Sequence, residues 1–415
     1  EDFVTSSFVL NSASDKLYYL HLENDPESSV MTYISDFLGD KAKKLSFDAP
    51  DYGEAIARRH NFLSSDIDSD VMKEILARKK KEGQNVISVS AIENYNICPL
   101  KYISSAVLKI DEREDGTVVK TTEIGTLAHT MFEISFGKII EGLKLDKDYL
   151  HKECEKLYGE NPLENFELTK TGEEYLKKLS EDCLEQAIIR DSVMPDKFDK
   201  AYRIFPGIKL KKIFELAYPN LVKDCLKAGY EPHKLEAKIH EMNNPIIYTT
   251  DNGTSYAFKG FIDRVDVKVS DVGTSGETYY RITDYKSGKK DIKMKGLFTG
   301  IQVQLPQYAV AIERDDDKNK VLRAGYIEVG IDKNKDKENF KYKDYENKLA
   351  VKDEAQHNYG ECFDVVKKYA NDIILPRTCE EMASGKSSAL LNPDSKYICK
   401  SCHLRGLCGN SPANP

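Results

Sequence analysis

The chain is expected to fold as α+β: a small mixed sheet flanked by an early helix and a late one. Three observations predict this. Residues 121–141 carry an apolar stripe at helical spacing, through Ile124, Leu127, Met131 and Ile134. Residues 234–242, 255–270 and 278–288 alternate with the period of a strand and are separated by turn signals such as Asp251-Asn252-Gly253. Residues 300–314 then return to a helical pattern and 323–330 to a strand. Helix, strands, helix, strand in that order suits helices packed on one sheet.

Taken from the start, residues 1–22 predict strand, turn and strand, and 23–85 are mixed and polar, with a boundary near 85. Ser88 or Ser90 can cap a helix that begins near Ala91, with Tyr95, Ile97 and Tyr102 on its apolar side. Residues 148–190 and 207–228 predict helices that carry no interpretable motif, and 355–385 are helical again. The first residue is Glu1, not Met, so a piece of a longer chain is expected.

Composition narrows the function classes. With 415 residues the chain can build real cores. No run of 18 apolar residues exists, and no signal peptide is visible, so a cytoplasmic protein away from membranes is expected. The net charge of −8 means that any nucleic-acid site must be a local basic patch on an acidic body. Nine cysteines, an odd number in a long chain, do not suggest a secreted disulfide framework. Cys154, Cys183, Cys225, Cys362 and Cys379 fall in helix-like stretches and are expected to be buried thiols.

The strand alternation locates the chemistry. In "ITDYKSGKK", Ile282, Asp284 and Lys286 share one face, and Thr283 and Tyr285 the other. In "GFIDRVDVKV", Asp263 lies with Phe261, Val265 and Val267, whereas Asp266 lies with Arg264 and Lys268, where it is expected to be solvated or salt-bridged. An acid on an apolar face is costly without a counter-charge. Two carboxylates converging from adjacent strands suit Mg²⁺ or Mn²⁺, with Lys286 in reach of whatever the ion activates. A surface ion pair on a hairpin is the alternative. His129 stands on one helix face between Gly125 and Glu133, and Gln304 and Tyr308 are one turn apart on the late helix. Lys286, Lys289, Lys290, Lys293 and Lys295 form a basic run where a phosphate backbone would lie.

"GTLAH", "GFIDRVD", "DYKSG" and "QLPQYA", in that order, resemble the RecB-type nucleases of the PD-(D/E)XK superfamily, which include the Cas4 nucleases. The resemblance implies a restriction-endonuclease-like core. It implies a metal held by His129, Asp263, Asp284 and the carbonyl of Tyr285. Lys286 then assists the attacking water, and Gln304 and Tyr308 position the site and the DNA. Glu236, on an earlier strand, is a weaker candidate acid.

The remaining cysteines add a second signature. Cys399, Cys402 and Cys408 have C-x2-C-x5-C spacing, and Cys98 lies in "YNICPLKY". One cysteine before the core and three after it resembles the iron–sulfur nucleases, the AddB-type subunits and Cas4, and implies a [4Fe–4S] cluster, with zinc as the alternative. "LNSASDKLYYL" is similar to the end of a UvrD-type helicase module, with Ser12 where that pattern has arginine. No G-x-x-x-x-G-K-[ST] occurs. A degenerate helicase remnant favours the AddB type. The expected organisation is therefore a helicase remnant and linker over 1–85 and a nuclease domain over 86–410, with a helical insertion at 145–230. The expected partners are single-stranded DNA ends and an AddA-type helicase–nuclease subunit. A stand-alone Cas4-like exonuclease and a non-catalytic iron–sulfur scaffold that binds DNA ends are the rivals.

Overall fold

The computed structural model describes residues 70–71, 80–81, 84–108, 121–165, 167–191, 200–269, 276–286, 288, 290–329, 342–344, 359–387, 399, 402 and 404. The strand–turn–strand expected over 1–22, the linker over 23–69 and Cys408 lie outside the described residues.

A short strand β1 (Lys80–Lys81) pairs with β2 (Gln84–Ser88), which leads directly into helix α1 (Val89–Ile97). Ser88 is the cap: its hydroxyl accepts from the Ala91 N–H at 3.1 Å. Two short helical turns, Pro99–Tyr102 and Ile103–Val107, come next, and then the longer helices α2 (Thr121–Leu145), α3 (Tyr149–Tyr158), α4 (Lys170–Asp191) and α5 (Lys200–Ala228). Then come β3 (Tyr230–Lys238), β4 (Ile247–Thr249), β5 (Ser255–Lys259), β6 (Phe261–Lys268) and β7 (Thr278–Lys286). Among the described residues there follow α6 (Met294–Thr299), α7 (Gln304–Asp315), β8 (Asn319–Glu328), β9 (Tyr342–Asp344), α8 (Tyr359–Tyr369) and, after the helical turn Ala370–Ile374, α9 (Leu375–Ala383).

Among the described residues two sheets form, where the sequence pattern predicts one. The larger has the order β3-β6-β7-β8-β9, and the smaller β1-β2-β5-β4. The larger sheet is mixed, because β7 and β8 run parallel while its other neighbours are antiparallel. The continuous alternation over 255–270 thus conceals a change of sheet at Gly260, between β5 and β6. A Cβ built at Gly260 would lie 2.6 Å from Cε1 of Tyr308, so glycine lets that ring close against the junction.

Both faces of the larger sheet are buried, in separate cores. On one, Val265, Ile282, Ala324 and Tyr326 pack with α1, α7, α8 and α9 through residues such as Ile92, Leu305, Ile312, Val366 and Met382. On the other, Tyr285 and Ile327 pack with Phe132 and Phe136 of α2 and with residues of α3, α4 and α5. The helices over 149–228, which carry no sequence motif, therefore cover a sheet face. Cys154, Cys183 and Cys225 are buried free thiols within them, and Cys379 is another in α9.

That helical cover decides between the two expectations for Asp266: it is salt-bridged and not solvated. Arg264, Asp266 and Arg281 all have 0 % exposure. Asp266 accepts from Arg264 Nε at 2.7 Å and from Arg281 Nη2 at 2.8 Å, and Arg281 Nη1 reaches Asp224 of α5 at 2.7 Å. Burial alone would raise the Asp266 carboxyl, but the two guanidinium groups hold it below its ordinary range. Phe261 also departs from expectation: it is exposed, at the rim of the face that the alternation marks as apolar.

Candidate active site

The site is built where β6 and β7 come together under α2 and α7. The pairing Arg264↔Thr283 and Val265↔Ile282 brings the next residues of each strand, Asp263 and Asp284, alongside one another. Asp263 is fixed by the neighbouring strand, since its Oδ2 accepts the Tyr285 N–H at 2.7 Å. The same oxygen lies 3.2 Å from Nδ1 of His129, which α2 delivers edge-on to the Tyr285 ring. Burial would lower the His129 pKa, but the hydrogen bond and charge of Asp263 hold it above the ordinary value.

Asp284 has 1 % exposure. Its Oδ2 faces the Lys286 ammonium in a close ion pair, and its Oδ1 accepts from Gln304 Nε2 at 3.3 Å. Gln304 Nε2 also donates to the Tyr308 hydroxyl at 3.0 Å, as their one-turn separation predicts. Burial, with the Asp263 charge next to it, pushes the Asp284 carboxyl up to about 7. One ammonium does not offset burial of the acid and the second negative charge. This is the electrostatic signature of a place that favours a cation.

The six side chains thus form two sets that the β6–β7 pairing sets side by side: His129 with Asp263, and Lys286, Gln304 and Tyr308 around Asp284. Tyr285 contributes its N–H to Asp263, while its side chain points into the opposite core, where its hydroxyl accepts from Arg264 Nη1 at 2.7 Å. Glu236, the weaker candidate acid, stands close enough to this group to feel its charge. It occupies a positive φ of 46° in β3, and burial and the Asp263 and Glu133 charges push its carboxyl up to about 7. Among the described residues, no three His, Cys, Asp or Glu side chains already enclose one point as a metal shell.

The basic run continues from Lys286. Lys286 Nζ lies 5.6 Å and Lys290 Nζ 5.7 Å from the centre of the Tyr326 ring. Lys293 stands at the N-cap of α6. Cys98 is buried at the C-cap of α1. The Cys402 N–H points to the Cys399 carbonyl at 3.4 Å, so those two share a turn. Tyr95 of α1 donates to the Lys386 carbonyl at 2.6 Å, docking the chain that precedes these cysteines on the Cys98 helix. Sequence reasoning passes over Glu93, which is buried and accepts the N–H groups of Val303 and Gln304. Its signal is indirect: the helix starting at Gln304 has no residue of its own at Val303 that could cap it.

Comparison with known proteins accords with this geometry. Residues 86–409 match the family model of the PD-(D/E)XK nuclease superfamily. The chain is 26% identical over 290 residues to a protein of Acetivibrio thermocellus named as a subunit of an ATP-dependent helicase/deoxyribonuclease, covering 68% of this chain and 22% of that one. A protein of the same name from Clostridium novyi is 25% identical over 304 residues, covering 72% of this chain and 24% of that one. Another, from Carboxydothermus hydrogenoformans, is 29% identical over 236 residues, covering 56% and 19%. The chain therefore spans about a quarter or less of the length of these relatives. No helix among the described residues is long and apolar enough to cross a membrane. The family match runs from the strand before α1 to the tail cysteines, so it takes in the acid pair and its whole scaffold, and the chain belongs to the PD-(D/E)XK nuclease superfamily.

Proposed function

We propose that this chain is the metal-dependent DNA nuclease module of an AddB-type helicase–nuclease subunit, which trims DNA ends for recombinational repair beside an AddA-type partner. The observation that carries the reading is the acid pair, half-buried Asp263 beside buried Asp284, with Asp284 pushed up to about 7 by burial and by its neighbour. Such a pair fits a hard divalent cation, and the donors suit one: two carboxylates, the His129 imidazole and the Tyr285 carbonyl. Bound there, Mg²⁺ or Mn²⁺ would supply a polarised phosphate and a water of lowered pKa.

The chain's own groups do the rest. The Tyr285 N–H and His129 fix the Asp263 carboxylate. Gln304, braced by Tyr308, orients Asp284. Lys286, part-exposed beside Asp284, puts an ammonium where charge develops on the attacking water and the phosphate. The lysines that follow give the DNA backbone a cationic track on an otherwise acidic protein.

Cys98, Cys399, Cys402 and Cys408 are proposed to hold a [4Fe–4S] cluster. The spacing of the last three supports this, as does the docking of the 386 region on the helix that ends at Cys98. Iron in anaerobically purified protein checks it, and a protein with zinc or no metal at these cysteines refutes it.

The test of the nuclease reading is cleavage of end-labelled single-stranded DNA, with the chain alone and with its partner subunit. Cleavage should require Mg²⁺ or Mn²⁺ and stop with EDTA or with Asp284→Asn. DNA binding without metal-dependent cleavage in either setting would instead identify an end-binding scaffold.

A further inference from the structure

We infer that Glu93 is a positioning residue of this nuclease site: from α1 it holds the first turn of α7, and so keeps the Gln304 amide on Asp284. The inference rests on the nuclease reading above for its functional consequence, though not for its geometry.

The start of α7 is poorly provided for by its own sequence. A helix leaves its first N–H groups without partners, and Ser, Thr, Asp or Asn at the cap normally satisfies one of them. Here the cap position is Val303, whose side chain has no acceptor and is buried in the core. The missing acceptor arrives from 210 residues away. Glu93 Oε1 accepts from the Val303 N–H at 2.7 Å and from the Gln304 N–H at 2.8 Å. A carboxylate at a helix N-terminus also meets the positive end of the helix dipole.

Gln304 is the first residue of α7, so whatever fixes that turn fixes its side chain. That side chain is the one that reaches Asp284 Oδ1 and the Tyr308 hydroxyl. Helix α1 grips the same loop at a second point. Asn96, three residues after Glu93 and on the same helix face, donates to the Gly300 carbonyl at 3.2 Å. A Cβ at Gly300, which has φ +79°, would fall 2.5 Å from Asn96 Nδ2, so the contact requires glycine there. Helix α1 is also tied to later segments, by Tyr95 on the Lys386 carbonyl and by Asn96, whose amide reaches Thr378 as well. Glu93 is therefore presented by a helix that has anchors besides its packing on α7.

A role through reach differs from a role through charge. Glutamine keeps the length and an acceptor oxygen; aspartate keeps the charge and falls one methylene short. Hydrogen exchange of the peptide 301–308 reads the cap without reference to catalysis. Glu93→Asp should speed exchange of the Val303 and Gln304 amides by about tenfold or more, and Glu93→Gln by less than about threefold, as expected for loss and retention of a helix cap. In the cleavage assay Glu93→Asp should lower kcat by about tenfold with KM within about threefold, and Glu93→Gln should stay within about threefold of wild type. In a Gln304→Ala background, Glu93→Asp should change kcat by less than about twofold, because the path runs through Gln304. Independent, multiplying losses in that double variant would overturn the inference. So would aspartate outperforming glutamine, or unchanged exchange in Glu93→Asp. If the wild-type chain and its complex do not cleave at all, the nuclease reading fails, while the exchange comparison still decides whether Glu93 holds Gln304.

Discussion

Asp266 and Asp284 lie on neighbouring strands of one sheet, with 0 % and 1 % exposure, and their surroundings are opposite. Asp266 faces the helical cover and is held by two arginines, which keep its carboxyl below the ordinary range despite burial. Asp284 faces α7, has one ammonium, and shares its space with Asp263, so its carboxyl is pushed up to about 7. Depth of burial is the same; the charge balance is not. A buried acid whose charge is over-compensated is a structural tie, and one left under-compensated is a place for a ligand.

Substitutions can break this comparison. The largest effect is expected from Asp284→Asn, which should lower metal-dependent cleavage by at least about a thousandfold. The unfolding midpoint should change little, because Lys286 is part-exposed and can turn to water. Asp266→Ala should do the reverse. It leaves Arg264 without its carboxylate in the core and Arg281 with that of Asp224, and should cost about 3–5 kcal/mol of stability, read by denaturant unfolding. If Asp284→Asn unfolds the chain while Asp266→Ala leaves it stable, the assignment of the two roles is wrong.

Lys286→Ala should follow, with DNA binding largely retained and cleavage about a hundredfold slower, since its ammonium acts mainly on the developing charge. Gly260→Ala is a smaller perturbation. The added methyl meets the Tyr308 ring, which should cost about 1–3 kcal/mol and shift the partner of Gln304. A variant with unchanged melting and turnover would show that the close approach is unimportant.

The pH dependence sharpens the same contrast. Asp266 has a folded-state pKa below its unfolded value of 3.8, so its stabilising contribution is complete above that value. The contribution is lost as pH falls through the depressed folded value. Wild-type stability should therefore decline in that acid window, and Asp266→Asn should flatten the decline, as measured by unfolding at a series of acid pH values.

Much of the site is legible in sequence because it follows local periods. Strand alternation puts Asp284 with Lys286, and helical spacing puts Gln304 with Tyr308. The Ser88 cap and the helix at 121 are likewise local. What escapes depends on contacts between distant segments. Arg264 and Asp266 stand in a charged stripe whose sequence leaves solvent and salt bridge both open, because nothing in 260–268 announces that helices from 149–228 will cover them. The change of sheet at Gly260 is hidden because alternation continues through it. Glu93 caps a helix 210 residues away, and only the absence of a cap at Val303 hints at it.

The most direct test of the central claim is Mn²⁺ binding to the EDTA-stripped chain, followed through the electron paramagnetic resonance signal of the free ion. The account predicts saturable binding by the wild type that is lost in both Asp263→Asn and Asp284→Asn and retained in Asp266→Asn provided that variant is folded. Equal binding by wild type and the two site variants would contradict it.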